Sequence, residues 1–137
     1  MDREATSDDR KAGRAANGTV LVVDDDEQVR RLSGRMFSQL GFEVVVAEDG
    51  RTAIDLFAKR EAGFDCVLLD LGLPGIDGEQ VGKALRAIDP HIPIIVSSGF
   101  GPTEVLERMA ASGFVEFLPK PYGLDQLRAG LRSAMDR

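Results

Sequence analysis

Four apolar runs in this chain end in residues that can do chemistry. Thr19-Val20-Leu21-Val22-Val23 leads into Asp24-Asp25-Asp26-Glu27, and Cys66-Val67-Leu68-Leu69 leads into Asp70. Pro93-Ile94-Ile95-Val96-Ser97 leads into Ser98-Gly99, and Phe114 to Leu118 leads into Pro119-Lys120-Pro121. If these ends share one edge of a sheet, Asp24 or Asp25 faces Asp70 at close range. Two carboxylates about 4 Å apart repel by roughly 4 kcal/mol at an effective dielectric near 20. Either one member takes a proton, or a hard divalent cation with oxygen ligands offsets the charge, and magnesium suits such a site. A carboxylate beside magnesium, a lysine and a hydroxyl can accept a phosphoryl group. Asp70 is then the nucleophile and forms an acyl phosphate. Magnesium and Lys120 balance the equatorial oxygens, and Ser98 donates to one of them.

Plainer roles account for several neighbours. Asp26 and Glu27 are expected to open the first helix, where acids are favoured. Ser98 could be an ordinary turn hydroxyl. Ser97 competes with it, and alternation turns only one of the two toward the pocket. Lys120-Pro121 is a candidate cis bond. Cys66 reads as core packing, and His91 as a loop residue between Pro90 and Pro93.

The elements that must position these residues follow from periodicity. Val29, Leu32, Met36, Phe37 and Leu40 recur at helical spacing, and Gly41 is a plausible stop. Phe42 to Ala47 predicts a second strand. Asp49 caps a helix through Ala53, Ile54, Phe57 and Ala58. After the third strand comes a Gly/Pro-rich loop. Asp77 with Gln80 then resembles a capping box opening a helix through Val81, Leu85 and Ile88. A fourth helix carries Val105, Leu106, Met109 and Ala110, and a fifth carries Leu124, Leu127 and Leu131. Five strand–helix units predict a parallel sheet with right-handed crossovers and helices on both faces. Strands that are apolar throughout fit that burial. The expected architecture is a flavodoxin-like, doubly wound α/β fold of five strands, order 2-1-3-4-5, with five helices. Ligands of such sheets sit beyond the carboxyl ends of the strands at the switch point.

Composition narrows the function. The 137 residues are expected to form one domain at 19–137 behind a flexible tail at 1–18, which has no large apolar side chain after Met1. A formal net charge of -6 argues against nucleic acid and anionic membranes as partners. One cysteine excludes an intramolecular disulfide and a multi-Cys zinc site, and the single histidine argues against a His-based metal site or a Ser-His-Asp triad. The polar N-terminus lacks a secretory signal, and no apolar stretch approaches the ~20 residues that span a bilayer. A cytoplasmic setting is expected.

Val-Leu-Val-Val-Asp-Asp-Asp-Glu (20–27), Leu-Leu-Asp-Leu-Gly-Leu-Pro-Gly-Ile-Asp-Gly (68–78), Ile-Pro-Ile-Ile-Val-Ser-Ser-Gly (92–99) and Lys-Pro-Tyr (120–122) closely resemble the receiver domain of two-component response regulators. The resemblance covers about residues 19 to 137. It implies that Asp70 is the phosphoacceptor, that Asp25 ligates magnesium directly and that Asp24 assists. It places the backbone carbonyl of Gly72 on the metal, Ser98 in the Thr/Ser switch position and Lys120 on the phosphoryl group. Phe117 matches the aromatic switch residue, although plain strand packing explains it too. Gly72 and Gly99 stand where many relatives carry larger side chains, at positions associated with phosphoryl lifetime. Ser97-Ser98-Gly99-Phe100 looks like receivers attached to hybrid sensor kinases.

The resemblance implies a sensor histidine kinase or a histidine phosphotransfer protein as partner. The domain would be a monomer or a weak phosphorylation-dependent dimer. It would catalyse its own magnesium-dependent phosphorylation and dephosphorylation, without independent substrate turnover. No output domain is recognised after the last predicted helix. Two other classes compete. A phosphorylation-independent docking module would not need the acidic set. A flavoprotein or small-molecule enzyme would need a phosphate loop, and neither a Walker-A sequence nor a flavin loop after the first strand is present.

Overall fold

The computed structural model describes residues 17–99, 107 and 116–136. Nine elements follow in order: β1 Gly18–Val23, α1 Glu27–Gln39, β2 Phe42–Ala47, α2 Gly50–Lys59, β3 Cys66–Asp70, α3 Gly78–Ile88, β4 Ile94–Ser98, β5 Glu116–Pro119 and α4 Leu124–Met135. The helix expected through Val105, Leu106, Met109 and Ala110 lies outside the described residues. So do Phe114 and residues 1–16 of the expected tail. Among the described residues there are four helices, and the expectation of five rests on that undescribed stretch. Strand β1 begins at Gly18, one residue earlier than expected, and β4 and β5 each reach one residue further, to Ser98 and Pro119.

The sheet is five-stranded, in the order β2-β1-β3-β4-β5. Every pairing is parallel. Alternation sorts the strand residues onto two covered faces. Leu21, Val23, Val67, Leu69, Ile94 and Val96 pack with Ala53 and Phe57 of α2 and Val81 and Leu85 of α3. On the other face, Val20, Val22, Cys66, Leu68, Ile95 and Leu118 pack with Met36 and Phe37 of α1 and Leu127, Leu131 and Ala134 of α4. Cys66 is fully buried, and burial pushes its thiol up to about 12, which makes it an inert core residue.

Local signals set the helix ends. The Asp26 carboxylate accepts the N–H groups of Gln28 and Val29 and opens α1. Gly41 stops it with φ +91°, a left-handed conformation that a side chain resists. Asp49 caps α2 by accepting from Thr52. Asp77 and Gln80 close a reciprocal capping box at α3. Three residues expected on apolar helix stripes face solvent instead: Ala58 of α2, Ile88 of α3, which is 46% exposed, and Leu32 of α1. Leu32 is not an inward residue of α1: it is 53% exposed, and Ser33 is buried in its place. Successive helical residues are about 100° apart, and the stripe that meets the sheet runs through Ser33, Met36 and Phe37.

Candidate functional site

Because β1 and β3 are neighbours, with Val23 opposite Leu69, the residues that follow them meet at one edge of the sheet. One carboxylate oxygen from each of Asp24, Asp25 and Asp70 lies within 4.8 Å of the others. Asp24 and Asp70 are buried, and Asp25 is exposed. Asp24 is held on every side. Its N–H donates to the Ala47 carbonyl at 3.1 Å, and its own carbonyl accepts from the Arg30 guanidinium at 2.8 Å. Its Oδ1 accepts the Asp26 N–H at 3.0 Å, and its Oδ2 lies 2.8 Å from Lys120 Nζ. Asp70 is less engaged. Its Oδ1 accepts the Gly72 N–H at 3.0 Å, and its Oδ2 lies 3.4 Å from Lys120 Nζ. Strand β5 delivers the lysine. The Lys120 N–H donates to the Ser98 carbonyl at 3.0 Å, and the Lys120-Pro121 bond is cis.

Burial holds the Asp70 carboxyl above its usual value, and the nearby Asp24 charge adds to the rise, while the Gly72 N–H and Lys120 oppose it. Burial alone would lower the Lys120 pKa. The hydrogen bond to Asp24 and the charges of Asp70 and Asp24 outweigh it, so the ammonium is held above its ordinary value. At neutral pH Lys120 is therefore a cation shared between two buried acids. With Asp25 the cluster still carries more carboxylates than cations. Its free donors are all hard oxygens, a set that suits magnesium.

Gly72 touches this cluster through its N–H, while Ser97 and Ser98 end the neighbouring strand β4 and Phe117 lies on β5 beyond it. Ser97 is opposite Asp70 in register, and its hydroxyl is buried with no hydrogen-bond partner among the described residues. Ser98 ends β4, buried, its carbonyl tied to the Lys120 backbone. Phe117 is half-buried and packs against the face that holds α2 and α3. Gly72 is exposed, and a Cβ there would lie 3.6 Å from Asp70 Oδ1, in ordinary contact.

Sequence reasoning missed two connections. Arg30 braces the Asp24 carbonyl from α1. The Tyr122 hydroxyl lies 2.7 Å from that of Ser33, although the Lys-Pro-Tyr motif had marked Tyr122. A serine inside an otherwise apolar helical stripe was the available signal, since a buried hydroxyl must find a partner.

The response regulator receiver domain model matches residues 20–132. The chain belongs to this family. Over 120 residues the receiver domain is 39% identical to response regulator MprA of Mycolicibacterium vanbaalenii, an alignment covering 86% of this chain and 50% of MprA. The chain thus spans half the length of that relative. Over 116 residues it is 29% identical to sporulation initiation phosphotransferase F of Bacillus subtilis, covering 85% of this chain and 92% of the relative. Among solved structures, chemotaxis protein CheY4 of Vibrio cholerae superposes with a TM-score of 0.79 at 27% identity, over 89% of this chain and 99% of CheY4. The receiver domain is a phosphoacceptor module of two-component signalling. No helix among its described residues is long and apolar enough to cross a membrane.

Proposed function

We propose that Asp70 is the residue that takes the phosphoryl group, from a phosphohistidine on a sensor histidine kinase or a histidine phosphotransfer protein. One observation carries the reading. Asp70 is a buried carboxylate at a strand end that shares a lysine with a second buried carboxylate. An Asp70 carboxylate oxygen attacks phosphorus and forms an acyl phosphate. The phosphorus–nitrogen bond breaks, and its electron pair stays on the imidazole, which takes a proton from solvent. Asp25, Asp24, Asp70 and the Gly72 carbonyl would hold magnesium, which supplies charge neutralisation for the incoming oxygens when bound. Lys120 reaches the phosphoryl group by moving its ammonium from Asp24 toward Asp70. Ser98 donates to a phosphoryl oxygen, and Phe117 repacks as Ser98 closes. Dephosphorylation is attack of water on the same phosphorus. Gly72 and Gly99 line that mouth without side chains. The domain works as a cytoplasmic switch, monomeric or weakly dimeric when phosphorylated.

The test is incubation with acetyl phosphate and magnesium followed by intact mass measurement. Wild-type protein is expected to gain one phosphoryl group and Asp70→Asn none. An equal adduct on Asp70→Asn would remove Asp70 from the role.

A further inference from the structure

We propose that the Ser33–Tyr122 hydroxyl pair positions Lys120, by tying the turn that carries this cation to α1. The inference rests on the phosphoacceptor reading of Asp70. Ser33 is 1% exposed on the inward stripe of α1, among apolar neighbours. A hydroxyl so placed needs a partner, and it has the Tyr122 hydroxyl at 2.7 Å, from a residue 89 positions away.

The turn from Lys120 to Gly123 is fixed at three places. The Lys120 N–H is bonded to Ser98 of β4. The Gly123 N–H is bonded to Gln126 Oε1 at 2.8 Å, which sets the start of α4. The Tyr122 hydroxyl is the hydrogen bond that joins the turn to α1 among the described residues. On the inner side Tyr122 packs against the core cluster that includes Met36 and Phe37 of α1, but on the outer side a cavity of about 120 Å³, lined by Val29, Leu32 and Ser33 of α1 and by Lys120, Pro121 and Tyr122, leaves the turn without apolar packing. The other half of the arrangement is Arg30, which holds the Asp24 carbonyl at 2.8 Å. Arg30 and Ser33 are three residues apart, neighbours on the helix surface. One helix therefore holds both partners of the Lys120–Asp24 pair. It grips Asp24 through Arg30 and the lysine's turn through Ser33. That sets where Nζ stands, 2.8 Å from Asp24 and 3.4 Å from Asp70. Transfer depends on placing this charge beside the incoming phosphoryl oxygens.

The experiment compares phosphorylation rates with acetyl phosphate at saturating magnesium for wild type, Tyr122→Phe, Ser33→Ala and Ser33→Thr. Each pair-breaking substitution is repeated in a Lys120→Ala background, and circular dichroism melting checks that each protein is folded. Tyr122→Phe and Ser33→Ala are each expected to slow phosphorylation about tenfold, as a misplaced reacting group does. Ser33→Thr keeps the hydroxyl, has the adjoining cavity for its methyl group, and is expected to react at the wild-type rate. In the Lys120→Ala background the slowing is expected to vanish, because the pair acts through the lysine. Folded Tyr122→Phe and Ser33→Ala proteins that react as fast as wild type overturn the inference. So does slowing that persists undiminished without Lys120. If Lys120→Ala reacts too slowly to follow, Ser33→Thr decides: a loss equal to that of Ser33→Ala overturns the inference, and recovery supports it. Wild-type protein that takes up no phosphoryl group overturns the reading of Asp70 as well, whereas reactive wild type with unaffected variants overturns the tether alone.

Discussion

Asp70 holds a charge at a place where burial disfavours it. Its folded pKa is raised, so the folded state binds protons more readily than the unfolded chain. Stability from this group is present below the ordinary carboxylate range and is lost as pH rises through the raised folded value. In metal-free buffer at neutral pH, Asp70→Asn is expected to melt a few degrees above wild type, and the gap should close as pH falls below the carboxylate range. A scanning calorimeter that finds Asp70→Asn less stable at pH 7 contradicts this. Lys120 works in the opposite window. Its raised pKa contributes stability below the ordinary lysine value, which disappears as pH climbs through the folded value. The two serines also separate at this scale. Ser97 leaves a buried hydroxyl without a partner among the described residues, so Ser97→Ala should be neutral or stabilising by up to about 1 kcal/mol in urea denaturation. It should leave phosphorylation unchanged, whereas Ser98→Ala should slow it. The reverse ranking of rates would exchange their roles.

Helix α3 is the element whose placement bears most directly on Asp70. The Asp77–Gln80 capping box starts it, and Gly78 lets that first turn lie against the end of β3. A Cβ at Gly78 would come within 2.5 Å of the Asp70 carbonyl and 2.6 Å of the Leu71 Cα. Both are backbone atoms and cannot swing aside. Gly78→Ala must therefore push α3 off the strand end, at a cost of about 1–3 kcal/mol typical of overpacking. It should also slow phosphorylation, because the carboxylate shifts with its backbone. Lys83→Ala, exposed on the same helix, is the control and should change neither quantity. A Gly78→Ala protein with wild-type stability would show that α3 does not rest on β3 in this way.

For the molecule as a whole, three carboxylates at one sheet edge weigh on a chain of net charge -6. A divalent cation that binds only the folded state stabilises by mass action, about 2.7 kcal/mol at a hundredfold excess over its Kd. Magnesium should thus raise the wild-type melting temperature well beyond sodium chloride of equal ionic strength. Asp25→Ala should fold normally, since Asp25 is exposed, yet lose most of that shift. An equal magnesium shift in Asp25→Ala would mean that the ion acts by screening alone.

The sequence by itself determined the elements and the candidate chemistry. A period of two or of 3.6, a cap such as Asp77 with Gln80, and acids directly after apolar runs are local patterns, legible without a partner. That is why β2 and the openings of α1, α2 and α3 lie where expected, and why Asp24, Asp25, Asp70 and Lys120 could be named as a set. The tertiary structure alone decided how the set is wired. Lys120 pairs more closely with Asp24 than with Asp70. Ser33 rather than Leu32 faces inward, and its hydroxyl meets Tyr122 across 89 residues. These are contacts between segments far apart in the chain. Spacing along one segment carries no information about them, because strand order and the packing of α1 on the sheet set the distances.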